Sequence, residues 1–306
     1  MDERAARLLR RHGWERQAEL GSGMEGTVVE VSADRVAKIW HGRSRADVDA
    51  LVRFSAALDD QAPPFTTPRV FELLEEDDLV ITIERRLHGQ PLADRPHPDP
   101  PLVDAHAICL LGDVLAGLSD VTISPDLAGL PILPGERPFD GPAPFPLALA
   151  ALVERRFKAS PEGLRREMAV DDLVAPLAGR LRDLPPTGRT AVLHGDLIPA
   201  NVLVQDGRVS AVLDFGFLTT VGDPHFDAAI TASIFDMYGP RARASEDLLS
   251  EAFVARFGHE VVRYGLYRAA YAIVTHAYFG TDGADGHFRW CADMLRRPDV
   301  TAAVLG

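Results

Sequence analysis

His194-Gly195-Asp196-Leu197-Ile198-Pro199-Ala200-Asn201, followed thirteen residues later by Asp214-Phe215-Gly216, decides how this chain is to be read. Between the two stretches lie Val202-Leu203-Val204-Gln205 and Arg208-Val209-Ser210-Ala211-Val212-Leu213, β-prone runs on either side of Asp206-Gly207. Asp-Gly flanked by such runs is the strongest short hairpin signal. Closing that turn pairs Gln205 with Arg208 and, by counting back, Val202 with Ala211. Asn201 then stands at the mouth of the hairpin on one strand, and Asp214 just beyond it on the other. Two hard oxygen donors are brought together, which suits magnesium better than a soft metal. Pro199 has no backbone donor and stiffens the loop that carries Asp196. An acid near a hydroxyl nucleophile, with an amide and a second acid on magnesium, is what phosphoryl transfer to a hydroxyl requires. Each residue alone reads as a surface turn former. The set gains its weight from a second motif upstream.

That motif is Leu20-Gly21-Ser22-Gly23-Met24-Glu25-Gly26-Thr27-Val28-Val29-Glu30-Val31. GxGxxG alone is weak, and three explanations compete for it. A Walker loop is excluded because no Gly-Lys-Ser/Thr follows. A dinucleotide-binding turn should open a helix, whereas Thr27 to Val31 is β-branched and reads as a second strand. A glycine-rich hairpin over nucleotide phosphates fits, because residues without side chains let backbone N–H groups approach an anion. The next strand, Arg35-Val36-Ala37-Lys38-Ile39-Trp40, carries a lysine in an apolar run. Such a lysine is costly to bury unpartnered, so Lys38 should face a cleft and meet an anion. The bland alternative is an edge-strand lysine that discourages aggregation.

With both motifs in view, the chain resembles the aminoglycoside phosphotransferase family, the small-molecule branch of the protein-kinase-like fold, from about Leu20 to the C-terminal helices. The resemblance implies an α+β bilobal fold: a small antiparallel-sheet N-lobe (1–87) and a larger, mainly helical C-lobe (88–306). It implies Asp196 as catalytic base, Asn201 and Asp214 as magnesium ligands, and Lys38 on the α- and β-phosphates. Gly21, Ser22, Gly23, Met24, Glu25, Gly26 and Val28 would lie over an ATP molecule, with GTP not excluded. Gly222-Asp223-Pro224-His225-Phe226-Asp227 is similar to the segment after the family's metal-binding Asp, and there Asp227 would brace the catalytic loop from a helix start. His194 occupies the family's histidine position, with a loop-ordering role expected.

Two departures stand out. The family pairs its lysine with a helical glutamate, yet Ala46 to Leu58 contains none. Asp49 or Asp47 would have to serve, or either is instead a capping acid. The hinge that should grip the nucleotide base reads Ile83-Glu84-Arg85-Arg86-Leu87, with two unusual consecutive arginines. Its backbone from Arg85 to Leu87 is the expected contact.

Composition fits an ordinary soluble enzyme: 306 residues at 46% hydrophobic can bury a core and form two lobes. The N-terminus is charged from its second residue, so no secretory signal is read there. The longest apolar run, about Pro144 to Val153, is far short of the roughly 20 residues that span a bilayer. Cys109 and Cys291 lie in apolar helical surroundings and read as buried thiols rather than a disulfide or metal pair, consistent with the cytoplasm. A net charge of −13 argues against a nucleic-acid partner and is compatible with a cationic acceptor, though it also simply aids solubility.

A core helix is expected over about Pro101 to Val121, and further helices over Leu147–Lys158, Glu162–Arg182 with a break at Pro176, Asp223–Tyr238, Ser245–Phe257 and Glu260–Tyr278. Ser124 to Pro146 holds seven prolines and cannot be one regular element. By the resemblance, residues from about Pro134 to Pro186 build one wall of the acceptor site. Asp223, Glu246, Asp247, Glu251, Glu260, Asp282 and Asp285 are the acids available to a cationic acceptor; Phe217, Phe226, Tyr238, Tyr278, Phe288 and Trp290 are read as core before substrate platform. The expected activity is ATP- and magnesium-dependent phosphorylation of a small hydroxylated molecule, an aminoglycoside or other antibiotic, or else a non-antibiotic metabolite. A protein kinase fits less well, because twelve residues between Asp214 and Asp227 leave no room for a long activation segment. A catalytically silent nucleotide-binding regulator is the alternative.

Overall fold

The computed structural model describes residues 3–23, 25–94, 102–141 and 143–306. Met24, one of the expected nucleotide-loop residues, lies outside them. The N-terminal lobe is an antiparallel sheet of β1 (Glu19–Ser22), β2 (Gly26–Ser32), β3 (Arg35–Trp40), β4 (Val70–Glu76) and β5 (Leu79–Arg85), in the order β1-β2-β3-β5-β4. Side chains alternate across a strand, so each face can be read from the sequence. Val29, Val31, Ala37, Ile39, Ile81 and Ile83 face one way and pack under α1 (Glu3–Arg11) through Ala5, Leu8 and Leu9. Trp40 and Val80 face the other way, against Val48 of α2 (Arg45–Asp59). Lys38 shares that second face, which forms the roof of the cleft. The sequence reading missed α1, whose few apolar residues sit among five charged ones.

The C-terminal region is helical: α3 (Ala105–Ser119), α4 (Phe145–Ala159), α5 (Glu162–Glu167), α6 (Asp171–Arg182), α7 (Pro224–Ile234), α8 (Ala242–Phe257), α9 (Val261–Thr275), α10 (Gly286–Arg296) and α11 (Pro298–Leu305). Helix α9 is buried from Arg263 to Thr275 and is packed by α4, α7, α10 and α11, which makes it the hub of this region. The expected break at Pro176 does not occur. Pro176 lies within α6, and the chain breaks at Met168, which is extended. Pro176, the sixth of the twelve residues of α6, forgoes the one intrahelical bond that its N–H would make to Asp172, and the helix continues past it. Helices α10 and α11 were not read from the sequence. Cys109 is exposed on α3 and only Cys291 is buried, and both are free thiols. Among the described residues no helix is long and apolar enough to cross a membrane.

Short strands carry the site: β6 (Gln90–Pro91), β7 (Ala191–Leu193), β8 (Val202–Gln205), β9 (Arg208–Val212) and β10 (Thr220–Gly222), paired as β6-β8-β9 and β7-β10. Asp206 and Gly207 both take positive φ, 52° and 75°, as the two-residue turn demands. Gln205 pairs with Arg208 as expected, but Val202 pairs with Val212, not Ala211. The extra residue is Ser210, which bulges. Its carbonyl accepts from Thr66 N–H at 2.9 Å and its hydroxyl donates to the His88 carbonyl at 2.7 Å. The bulge pulls the hairpin mouth into register, so Leu213 N–H donates to the Asn201 carbonyl at 2.8 Å. Asn201 and Asp214 are thereby held on adjacent backbone.

Candidate active site

The loop after β7 is held from three sides. Asp227, in the first turn of α7, accepts the backbone N–H of His194 at 2.9 Å and of Gly195 at 2.8 Å, the bracing expected of it. His194 is fully buried; its Nδ1 accepts the Asp196 N–H at 3.2 Å, so Nε2 carries the proton donated to the Leu213 carbonyl at 2.7 Å. One imidazole therefore ties the Asp196 loop to the strand that ends at Asp214. Thr219, absent from the sequence reading, completes the clasp. Its hydroxyl accepts from Gly216 N–H at 2.8 Å and donates to the His194 carbonyl at 2.7 Å. Gly216 is only three residues away, but the His194 carbonyl is 25 residues away in sequence, so no local pattern marks the clasp.

Gly195 takes φ 81°, and a Cβ there would lie 2.4 Å from the Phe217 carbonyl oxygen, so only glycine fits. Burial raises the Asp196 carboxyl to about 6, opposed by His194 and assisted by the negative charges of Asp214, Glu25 and Asp227. The Asn201 side-chain amide donates to the Asp196 carbonyl at 2.9 Å. That contact fixes the flip of the amide and leaves Oδ1 as the outward atom. Asp214, at φ 60°, is half exposed and sets Oδ1 3.5 Å from Lys38 Nζ. Phe215 packs against His194 at 4.6 Å and Phe54 of α2 at 5.5 Å, which links the turn after β9 to the N-terminal lobe.

These residues open into one cleft of about 1180 Å³ between the sheet and the helices. Gly21, Gly23, Glu25, Gly26, Val28, Lys38, Arg85 and Leu87 line it together with Asp196, Asn201 and Asp214. Ser22 does not; its hydroxyl meets that of Thr27 across the hairpin at 3.1 Å. Asp49 does not line it either, and is paired with Arg45 at 3.6 Å. Asp47 closes a capping box with Ser44 at the start of α2. The ion-pair partners of Lys38 are Asp214 and Glu25, the latter at 3.7 Å from the glycine-rich turn, and the ammonium sits 4.0 Å over the Trp40 ring. A short α2 acid could not compete with residues already beside the lysine.

The hinge arginines are structural pins. Arg85 makes a two-pronged pair with Asp59 of α2, 3.0 Å on one prong, and Arg86 pairs with Glu30. Their backbone N–H groups donate to the Arg69 carbonyl at 2.8 Å and the Asp34 carbonyl at 3.0 Å. The donors of Arg85 and Arg86 are therefore turned away from a base. Glu84, beside them in the cleft, is pushed up by burial against the pull of Lys38, and accepts from Thr82.

The other half of the cleft is aromatic. Phe217 meets Tyr278 at 4.7 Å and Tyr271 at 6.5 Å, and Phe279 meets Tyr278 at 5.2 Å and His287 at 5.3 Å. Phe235, Met237 and Tyr238 continue the wall. Phe217, Tyr238 and Tyr278 are thus cleft residues, whereas Phe226 and Phe288 belong to the core. Residues 134–186 supply none of the described lining. The apolar faces of α4 and α6 are consumed against each other and α9, behind the cleft.

None of the acids expected to await a cationic acceptor lines the cleft among the described residues. Asp223 caps α7 and accepts from Arg263 at 3.1 Å and Tyr267 at 2.6 Å. Burial alone would raise its carboxyl, but hydrogen bonds from His225 and Tyr267 hold it below the ordinary value. Glu246 is buried under Arg297, Arg268 and Arg243. Asp247 pairs with Arg243, Glu260 with Arg263, Asp285 caps α10, and Asp282 accepts from the Ala284 amide.

A small antiparallel lobe over a helical region, with a glycine-rich turn, a strand lysine and an Asp–Asn–Asp set between them, is a protein-kinase-like phosphotransferase architecture. The chain belongs to the phosphotransferase enzyme family, whose model matches residues 16–265. Macrolide 2′-phosphotransferase MphH from Brachybacterium faecium shares the fold at TM-score 0.61 and 19% identity, over 97% of this chain and 99% of that one. Aminoglycoside phosphotransferase APH(3″)-Id from Streptomyces rimosus, in complex with ADP and streptomycin, aligns at TM-score 0.56 and 22% identity over 90% and 99%. The GDP and kanamycin complex of APH(2″)-IIIa aligns at 0.63 and 16% over 99% and 98%. No curated protein matches the chain by sequence.

Proposed function

We propose that this protein is a magnesium- and ATP-dependent kinase that moves the nucleotide γ-phosphate to a hydroxyl of a small molecule, with GTP as an alternative donor. The observation that carries the reading is the convergence of Lys38, Asp196, Asn201 and Asp214 on one cleft beneath a glycine-rich turn. Asp196 accepts the proton of the attacking hydroxyl, and a carboxyl held near 6 is a stronger base than an ordinary aspartate while staying charged at neutral pH. Asn201 Oδ1 and the Asp214 carboxylate suit magnesium, a hard cation that completes its shell with phosphate oxygens and water. Bound magnesium would neutralise charge on the phosphates. Lys38 faces the α- and β-phosphates, and the turn from Gly21 to Gly26 covers them. Leu87 and the hinge carbonyls meet the base. The cytoplasm, where thiols such as Cys109 stay reduced, is the compartment this chemistry fits.

The acceptor half bears on substrate class. Among the described residues the lining acids are Glu25, Glu84, Asp196, Asp214 and Asp236, of which only Asp236 stands on the acceptor side beyond the base. A kanamycin-like polycation would find few partners there. An acceptor with a broad apolar face and few amines, macrolide-like rather than kanamycin-like, suits a wall of Phe217, Tyr238, Tyr278 and Phe279. The test is phosphorylation of a panel holding macrolides, streptomycin, kanamycin, nucleosides and simple sugars, scored by the gain of one phosphoryl group in mass. Preferred turnover of apolar acceptors is expected. Best turnover of kanamycin would overturn the acceptor class, and nucleotide binding with no turnover of any compound would favour a silent regulator.

A further inference from the structure

Arg43 lies just before the cap of α2, outside every motif that defines the site, yet its side chain reaches Glu25, which lines the cleft. Its Nη2 is 2.6 Å from Glu25 Oε1, while Glu25 Oε2 is 3.7 Å from Lys38 Nζ. One carboxylate thus bridges two cations, one oxygen to each. The bridge is largely sheltered, with side-chain exposures of 24% for Glu25, 22% for Arg43 and 16% for Lys38. It sits beside the catalytic set: Lys38 also reaches Asp214, and the charge of Glu25 helps to raise Asp196. The backbone under it is fixed, with the Glu25 carbonyl accepting from His41 N–H at 2.9 Å and Gly23 N–H donating to the Gly26 carbonyl at 2.9 Å. The Glu25 carboxylate can therefore leave its two cations without breaking these backbone bonds of the turn.

We propose that Arg43, beside Lys38, extends the phosphate subsite from the β- to the γ-phosphate of the nucleotide, and that Glu25 holds this subsite until a triphosphate displaces it. The assignment rests on the kinase reading given above. Two oxygens of a carboxylate span the same pair of cations that two phosphate oxygens would, and guanidinium favours such two-point contacts with phosphate. A carboxylate left in place would repel the incoming anion, so binding requires Glu25 to leave. Once it leaves, Arg43 keeps a charge to offer, and its planar fork adds a directional contact that the lysine ammonium cannot make. Asp214 is unaffected as a magnesium ligand.

The bland alternative is that Glu25–Arg43 merely tethers the turn to the start of α2. The two accounts predict opposite patterns in Glu25→Gln and Arg43→Gln, measured by calorimetry with ATP, ADP and AMP in magnesium. As a phosphate subsite, Arg43→Gln weakens ATP about tenfold or more, the size expected for one charge-assisted contact, and leaves AMP within about twofold. Glu25→Gln then tightens ATP several-fold, about three- to tenfold, with AMP again unchanged. Arg43→Lys recovers part of the ATP affinity, which separates a charge effect from misfolding. As a tether, both Gln variants loosen the turn and shift ATP in the same direction. That result, or equal losses for ATP and AMP in Arg43→Gln, overturns the assignment alone if wild-type binding is intact. A wild-type protein that binds none of the three nucleotides overturns the kinase reading along with it.

Discussion

Replacing Asp196 by Asn should make the protein more stable while removing its activity. Burial and the nearby charges of Asp214, Glu25 and Asp227 hold this carboxyl at about 6, where the ordinary value is 3.8. At about 1.4 kcal/mol per tenfold change in proton affinity, keeping it charged costs the folded protein up to about 3 kcal/mol. The sign follows from the direction of the shift. A carboxyl raised in the folded state contributes stability below its unfolded value, and that stability is lost as pH climbs through about 6. Asn carries no charge to lose, so its advantage should be near the full 3 kcal/mol at pH 8 and about half of that at pH 5. Urea unfolding of both proteins, without nucleotide, at the two pH values reads this directly. The same variant should lose about 10²–10⁴-fold in phosphoryl transfer, the usual contribution of a positioned base. An Asn variant that is no more stable than wild type at pH 8, or whose advantage does not shrink at pH 5, refutes the claim that a charged Asp196 is held against its environment.

Further outcomes follow from the same site. Asp214→Asn should weaken magnesium–nucleotide binding and turnover together, because an anionic oxygen leaves a hard cation; calorimetry showing wild-type nucleotide affinity indifferent to magnesium would contradict it. Thr219→Val keeps the shape but strands the Gly216 N–H and the His194 carbonyl, so a loss of about 1–3 kcal/mol per stranded group is expected in chemical denaturation. Gly195→Ala must push the Phe217 carbonyl aside from a 2.4 Å approach, and should abolish turnover and lower the melting temperature even though only a methyl is added; wild-type kinetics in that variant would show that the loop has room.

The hairpin and its Asn201–Asp214 pairing were legible because turn chemistry is local: Asp206-Gly207 names its own geometry. The Ser210 bulge was not, since its causes, Thr66 and His88, lie far away in sequence. Lys38 announced a cleft, but its neighbours had to be seen in space, and Glu25 came from the glycine-rich turn instead of the helix. The acids suggested for the acceptor show the same limit from the other side. Asp223 and Glu246 look available until Arg263, Arg268 and Arg297 are folded onto them. Periodicity revealed that α4 and α6 are amphipathic, not that α9 would be the surface they cover.

The most direct test of the central claim follows the γ-phosphate. Wild type and Asp196→Ala, each first shown to bind ATP with magnesium, are given γ-labelled ATP and the best acceptor from the panel, and the label is traced by mass spectrometry. Transfer to an acceptor hydroxyl by wild type is expected, with a loss of at least about 10²-fold in the variant at similar ATP affinity. Turnover by Asp196→Ala within a few-fold of wild type would contradict the account, because a cleft that still transfers phosphate without that carboxylate does not use it as its base.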